Sequence, residues 1–172
     1  TTEINVDSKE ALAINRTAKL YIGGKQTRPD SGYSFSVKNQ KGKIIGHAGL
    51  GNRKDVRNAV EAALKASSWS SVSAHNRAQV LYYIAENLNV RADEFVKSLV
   101  LSGASTKDAK REVETSLQCM FHYAAWADKY DGRIHSTNSK RQTTLAFNEP
   151  FGVMVLVCTD EAPLLAMLSM LM

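Results

Sequence analysis

The stretch Val153-Met154-Val155-Leu156-Val157-Cys158-Thr159-Asp160-Glu161-Ala162-Pro163-Leu164-Leu165 carries the reading of the fold. Five apolar residues without polar alternation predict a strand covered on both faces, the habit of parallel sheets in α/β proteins. Asp160-Glu161 then reads as a turn, and Pro163 suits the first turn of a helix whose Leu164, Leu165, Met167, Leu168 and Leu171 cover most of its faces. A parallel strand needs crossover-connected neighbours. The expectation is therefore an α/β chain that forms the front of a larger fold.

Upstream, the polar/apolar pattern switches between periods of two and 3.6. Leu20-Tyr21-Ile22 before Gly23-Gly24 predicts a short strand and tight turn, Tyr33, Phe35 and Val37 alternate as in a half-buried strand, and Lys43 to His47 is a third strand candidate. Asn52 can cap a helix carrying Val56, Val60, Ala63 and Leu64, and Ser73 one carrying Val80, Leu81, Ile84 and Leu88. A third helix, about 92 to 102, turns Phe95, Val96, Leu99 and Val100 inward and meets Gly103. Ser105 with Asp108 forms a capping box for the longest helix, with Ala109, Val113, Leu117, Met120, Ala124 and Ala127 as its stripe and Gly132 as its expected end. Short strands then flank the polar turn Asn138-Ser139-Lys140.

Composition narrows the function classes. With 44% hydrophobic and 23% charged residues, 172 residues can bury a sizeable core. The opening 1–15 is largely polar and lacks a signal-peptide layout, so it reads as a tail or linker. The apolar stretch 162–172 is shorter than the roughly 20 residues a bilayer requires, and no membrane role is expected. The net charge of +5 is scattered among acids, and the pair Lys140-Arg141 has no aromatic platform beside it; a solvated surface is expected rather than nucleic-acid binding. Cys119 and Cys158 give no disulfide framework, which fits a reducing compartment, the cytoplasm by default.

Several ungapped segments, in order, carry a resemblance. Leu20-Tyr21-Ile22-Gly23-Gly24-Lys25, the helix from Asp55 to Ala66, Tyr123-Ala124-Ala125-Trp126-Ala127-Asp128-Lys129-Tyr130-Asp131-Gly132, and Asn148-Glu149-Pro150-Phe151-Gly152-Val153 together resemble the aldehyde dehydrogenase superfamily. That family has a YAGWADK-like helix end and an EPxGV approach to its first Rossmann strand. The run Asp160-Glu161-Ala162-Pro163-Leu164-Leu165 looks most similar to the degenerate second unit of family 16. The resemblance implies the N-terminal part of an aldehyde dehydrogenase fold, truncated: helices plus the start of a Rossmann-like parallel sheet, with projecting oligomerisation strands. Its expected division is a tail over 1–18, a partial NAD-binding domain over 19–132 and 150–172, and oligomerisation strands over 133–149. A homodimer or a protein partner through 133–149 follows from it.

In the family a cysteine attacks the aldehyde, hydride passes to NAD(P), and a glutamate activates water. The resemblance puts both side chains beyond Met172, so no catalytic residue is assigned here. Cofactor contacts carry over only to Val157, Cys158, Thr159 and Asp160. The family's PWN-F-P turn reads Thr159-Asp160-Glu161-Ala162-Pro163, which sets Glu161 where an asparagine donates to the oxyanion. An ionised carboxylate cannot donate and repels the developing charge. The ETGKP-like turn, here Leu101-Ser102-Gly103-Ala104-Ser105, keeps only the glycine and calls that helix junction into question.

Each candidate has a plainer reading beside it. Asp160-Glu161 is a ligand-facing pair or a helix cap. Cys119 and His122 are a metal face or packed residues, and Cys158 is a nucleophile or a strand residue with no base near it in sequence. His47, His75 and His135 show no ligand spacing. The Met and Leu stripe after Pro163 is core or a partner-binding face. Two functions are carried forward: a catalytically dead dehydrogenase-like module that serves as an interaction or scaffold unit and binds NAD(P) weakly if at all, and the nicotinamide-binding portion of an NAD(P)-dependent aldehyde dehydrogenase.

Overall fold

The computed structural model describes residues 17–130, 132–136 and 142–172. Expectations for residues 1–16 of the opening tail and for the turn Asn138-Ser139-Lys140 lie outside them; Ala18, expected in the tail, instead bridges Ala48, its amide donating to the His47 carbonyl at 2.8 Å. Strands β1 (Leu20–Ile22) and β2 (Lys25–Thr27) form an antiparallel hairpin, followed by β3 (Ser34–Lys38) and β4 (Ile44–Gly49), which pair with each other. Helices α1 (Arg53–Lys65), α2 (Ala74–Val90), α3 (Ala92–Ser102) and α4 (Thr106–Trp126) come next, then the hairpin β5 (Arg133–Ser136) and β6 (Thr143–Ala146), and finally α5 (Pro163–Leu171).

The local signals act as their chemistry dictates. Gly23 and Gly24 both have positive φ, 61° and 79°, the backbone that a two-residue hairpin loop demands. At α1, the Asn52 side chain accepts from Lys54 and Asp55 amides while the Asp55 carboxylate accepts from the Asn52 amide at 2.9 Å, a complete capping box. Asp55 also accepts from the Asp30 amide at 3.1 Å, so one buried carboxylate ties the turn after β2 to the start of α1. Ser73 caps α2 through the Asn76 amide, and Ser105 caps α4 through the Asp108 amide at 3.1 Å. The return bond of this second box runs from the Ser105 hydroxyl to the Asp108 carboxylate at 2.7 Å instead of from the backbone.

The core is a helical cluster in which α4 is central. Ala85 and Leu88 of α2, Leu99 of α3, Ala109, Val113 and Met120 of α4, and Leu164 and Leu168 of α5 are buried together. The α4 stripe follows the expected spacing, with Ser116 added; its hydroxyl donates to the Glu112 carbonyl at 2.7 Å, which allows a polar residue at a fully buried position. On α2 the inward face is Ala78, Ala85 and Leu88, whereas Val80 and Ile84 are exposed. Alanines, with Leu88, thus take the contact that larger side chains were expected to make.

Three expectations are corrected. First, Val153–Val157 joins no strand ladder among the described residues, and all five of its side chains are exposed. A parallel strand exists only by pairing, and β1–β2, β3–β4 and β5–β6 form three separate two-stranded antiparallel sheets, none of which pairs with it among the described residues. Second, α4 ends at Trp126 rather than at Gly132: Lys129 and Tyr130 amides both turn back to the Trp126 carbonyl, and the Lys129 ammonium occupies the Ala125 carbonyl at 2.8 Å. Third, the departure at Leu101–Ser105 leaves the α3–α4 junction intact. Gly103 at φ 121° sends the Ala104 amide back to the Leu99 carbonyl and its own amide to Val100.

Candidate functional site

The Thr159–Ala162 turn is built from both sides of the chain. Val157, Cys158, Thr159, Asp160 and Glu161 are all exposed, and Ala162 and Pro163 open α5. Ala162 has no side-chain cap to offer and Pro163 has no amide hydrogen, so the first free donors of α5 are the Leu164 and Leu165 amides. Both point at one carboxylate oxygen of Glu112, on α4, at 2.9 and 3.3 Å. A residue 52 positions upstream thus caps the helix that carries the turn.

Glu161 borders two adjoining hollows. One, of about 440 Å³, is lined by Gln40, Ser105, Asp108, Arg111, Glu112 and Glu161 among others. The second, of about 480 Å³, adds Lys38, Asp160 and Pro163. The walls come from the β3–β4 turn, the α3–α4 junction and the start of α5, and the Gln40 amide reaches the Ser102 carbonyl at 3.4 Å. Arg111 pairs with Asp108 at 3.2 Å, and among the remaining charged lining residues Glu112, Asp160 and Glu161 outnumber Lys38.

Of the residues singled out in the sequence, the structure brings Asp160 and Glu161 together at this turn, with Cys158 two residues before it. Cys119 is half-buried on α4, and the His122 ring lies against Tyr123 and Trp126. Among the described residues no group of three His, Cys, Asp or Glu side chains could hold a metal ion, and no helix is long and apolar enough to cross a membrane. Sequence reasoning missed Glu112. The one signal that could have raised the question is Ala162-Pro163, a helix start without an acceptor of its own.

The aldehyde dehydrogenase family model matches residues 27–172. The chain belongs to the aldehyde dehydrogenase family. Similar proteins include the cytosolic 10-formyltetrahydrofolate dehydrogenase of Mus musculus, 28% identical over 90% of this chain and 18% of that protein. The D-glyceraldehyde dehydrogenase (NADP(+)) of Thermoplasma acidophilum is 27% identical over 80% of this chain and 28% of its own length. Among solved structures, the NAD-dependent aldehyde dehydrogenase of Sinorhizobium meliloti superposes with a TM-score of 0.71 over 80% of this chain and 28% of that one, at 22% identity. The chain spans only 18 to 28% of the length of these relatives. It has the α/β architecture of the N-terminal part of the aldehyde dehydrogenase fold, as the sequence motifs implied.

Proposed function

We propose that this chain is the N-terminal part of an aldehyde dehydrogenase-like unit that has lost turnover and works as an interaction or scaffold module. One feature supports the reading: by motif resemblance Glu161 takes the place of the family's oxyanion-donating asparagine, and it lies on an exposed turn beside Glu112 and Asp160. Loss of one oxyanion donor costs about 10² to 10³ in rate, and replacing it with an ionised carboxylate adds repulsion. The module divides into a tail over 1–18, a partial cofactor-binding domain over 19–132 and 150–172, and pairing strands over 133–149. Its kinship lies with the degenerate second unit of family 16, its partner is a second copy or another protein held through 133–149, and its compartment is the cytoplasm.

A second reading is favoured by the relatives named for NAD and NADP(+). In it the chain supplies the nicotinamide-binding portion of an enzyme that oxidises an aldehyde to a carboxylic acid, with backbone contacts from Val157, Cys158, Thr159 and Asp160 and with the reactive cysteine and glutamate elsewhere. Calorimetric titration of the native-length protein with NAD and with NADP separates the two. The scaffold reading expects nothing tighter than about millimolar, and a dissociation constant of about micromolar would favour the cofactor-binding reading.

A further inference from the structure

We infer that Glu112 is a positioning residue that fixes the Thr159–Ala162 turn, and with it Glu161, from the side of α4. The inference rests on the reading of Glu161 given above, but its geometry is independent of any activity. The first turn of a helix needs acceptors for donors that have no intrahelical partner. In α5 the N-cap is Ala162 with no side-chain bond and the next residue is Pro163, so the Leu164 and Leu165 amides depend on Glu112 at 2.9 and 3.3 Å. Farther along, Ala166 already bonds the Ala162 carbonyl.

Glu112 is itself held. It lies between Ala109 and Val113 of the buried stripe, and its carbonyl receives the Ser116 hydroxyl. The carboxylate is therefore carried by the best-packed helix of the molecule, whereas the turn it holds is exposed on every residue from Val153 to Glu161. Its charge also meets the positive end of α5, which strengthens both bonds. Without it, the turn would rest mainly on the apolar contacts of α5, Leu164 and Leu168 among them.

The test is residue-resolved amide hydrogen exchange on the native-length protein and on Glu112→Ala, Glu112→Asp and Glu112→Gln. Hydrogen bonds to a charged group are worth enough that losing them should speed local exchange about tenfold or more. That rise is expected at Leu164 and Leu165, the two amides bonded to Glu112, in the Ala variant and in the Asp variant, whose carboxylate is withdrawn by one methylene. In the Gln variant the amide oxygen still accepts, and the rise should stay below about threefold. Exchange at Val113 and Met120 should not change. Rates at Leu164 and Leu165 within about twofold of native in both the Ala and Asp variants would overturn the proposal. So would a uniform rise along α4, the mark of a general loss of stability. Should the Ala variant not fold, the contrast between Asp and Gln decides. Aldehyde turnover would contradict the scaffold reading and leave these rates untouched.

Discussion

At the scale of single residues, the Asp55 carboxylate organises the backbone around it. Asp55 is buried and accepts from the Asp30 and Asn52 amides, so its loss strands two donors. Asp55→Ala should destabilise the protein by about 2–3 kcal/mol and Asp55→Asn, which keeps one acceptor oxygen, by about half as much, both read from urea unfolding. Asp30, Glu94 and Asp128 behave differently because they are exposed. A hydrogen bond from Lys54 holds the Asp30 carboxyl below its ordinary 3.8, Arg91 does the same for Glu94, and Lys129 for Asp128. A depressed folded-state value contributes stability above the unfolded-state value, and the contribution disappears as pH falls through the folded one. Melting temperature should therefore fall as pH drops below about 4, less steeply in Lys54→Ala than in the native chain, and the difference should shrink in high salt.

At the scale of elements, what was legible in the sequence is what is local. Asn52, Ser73 and Ser105 cap their helices because the donors lie two or three residues away, and Gly103 ends α3 through its own φ. The α4 stripe was legible for the same reason, as a repeat along one segment. What escaped depends on distant partners. The face α2 presents is set by its packing against the rest of the helical core, the cap on α5 comes from Glu112, and Val153–Val157 becomes a strand only if another strand lies beside it. The packing of α5 gives a direct check. Leu168 is 3% exposed within the shared core, and Leu168→Ala should cost about 2–4 kcal/mol. A loss below about 1 kcal/mol would mean that α5 is only loosely docked on α4.

At the scale of the whole molecule, the apolar surface is unevenly distributed. Phe151 is 98% exposed, and Val155 and Val157 both exceed 80%. The β5–β6 hairpin presents Ile134 and Leu145 outward, with Phe147 exposed just after it, and among the described residues its two strands pair only with each other. Such edges invite a further strand. A dimer in sedimentation, shifted toward monomer by Ile134→Lys, is the expected result. A strictly monomeric mass at working concentrations would count against association through 133–149.

The acidic turn gives the family membership its particular meaning. The Thr159–Ala162 turn leads into α5 and carries Glu161 with Glu112 and Asp160 close by, and the proposed reading takes Glu161 as standing in for the family motif's asparagine. The most direct measurement is NAD(P) reduction by the native-length protein with a panel of aliphatic, aromatic and hydroxylated aldehydes. No reduction above the rate without protein is predicted for any of them. Sustained, aldehyde-dependent formation of NADH or NADPH would show that a carboxylate at position 161 is compatible with turnover, and would contradict the scaffold account.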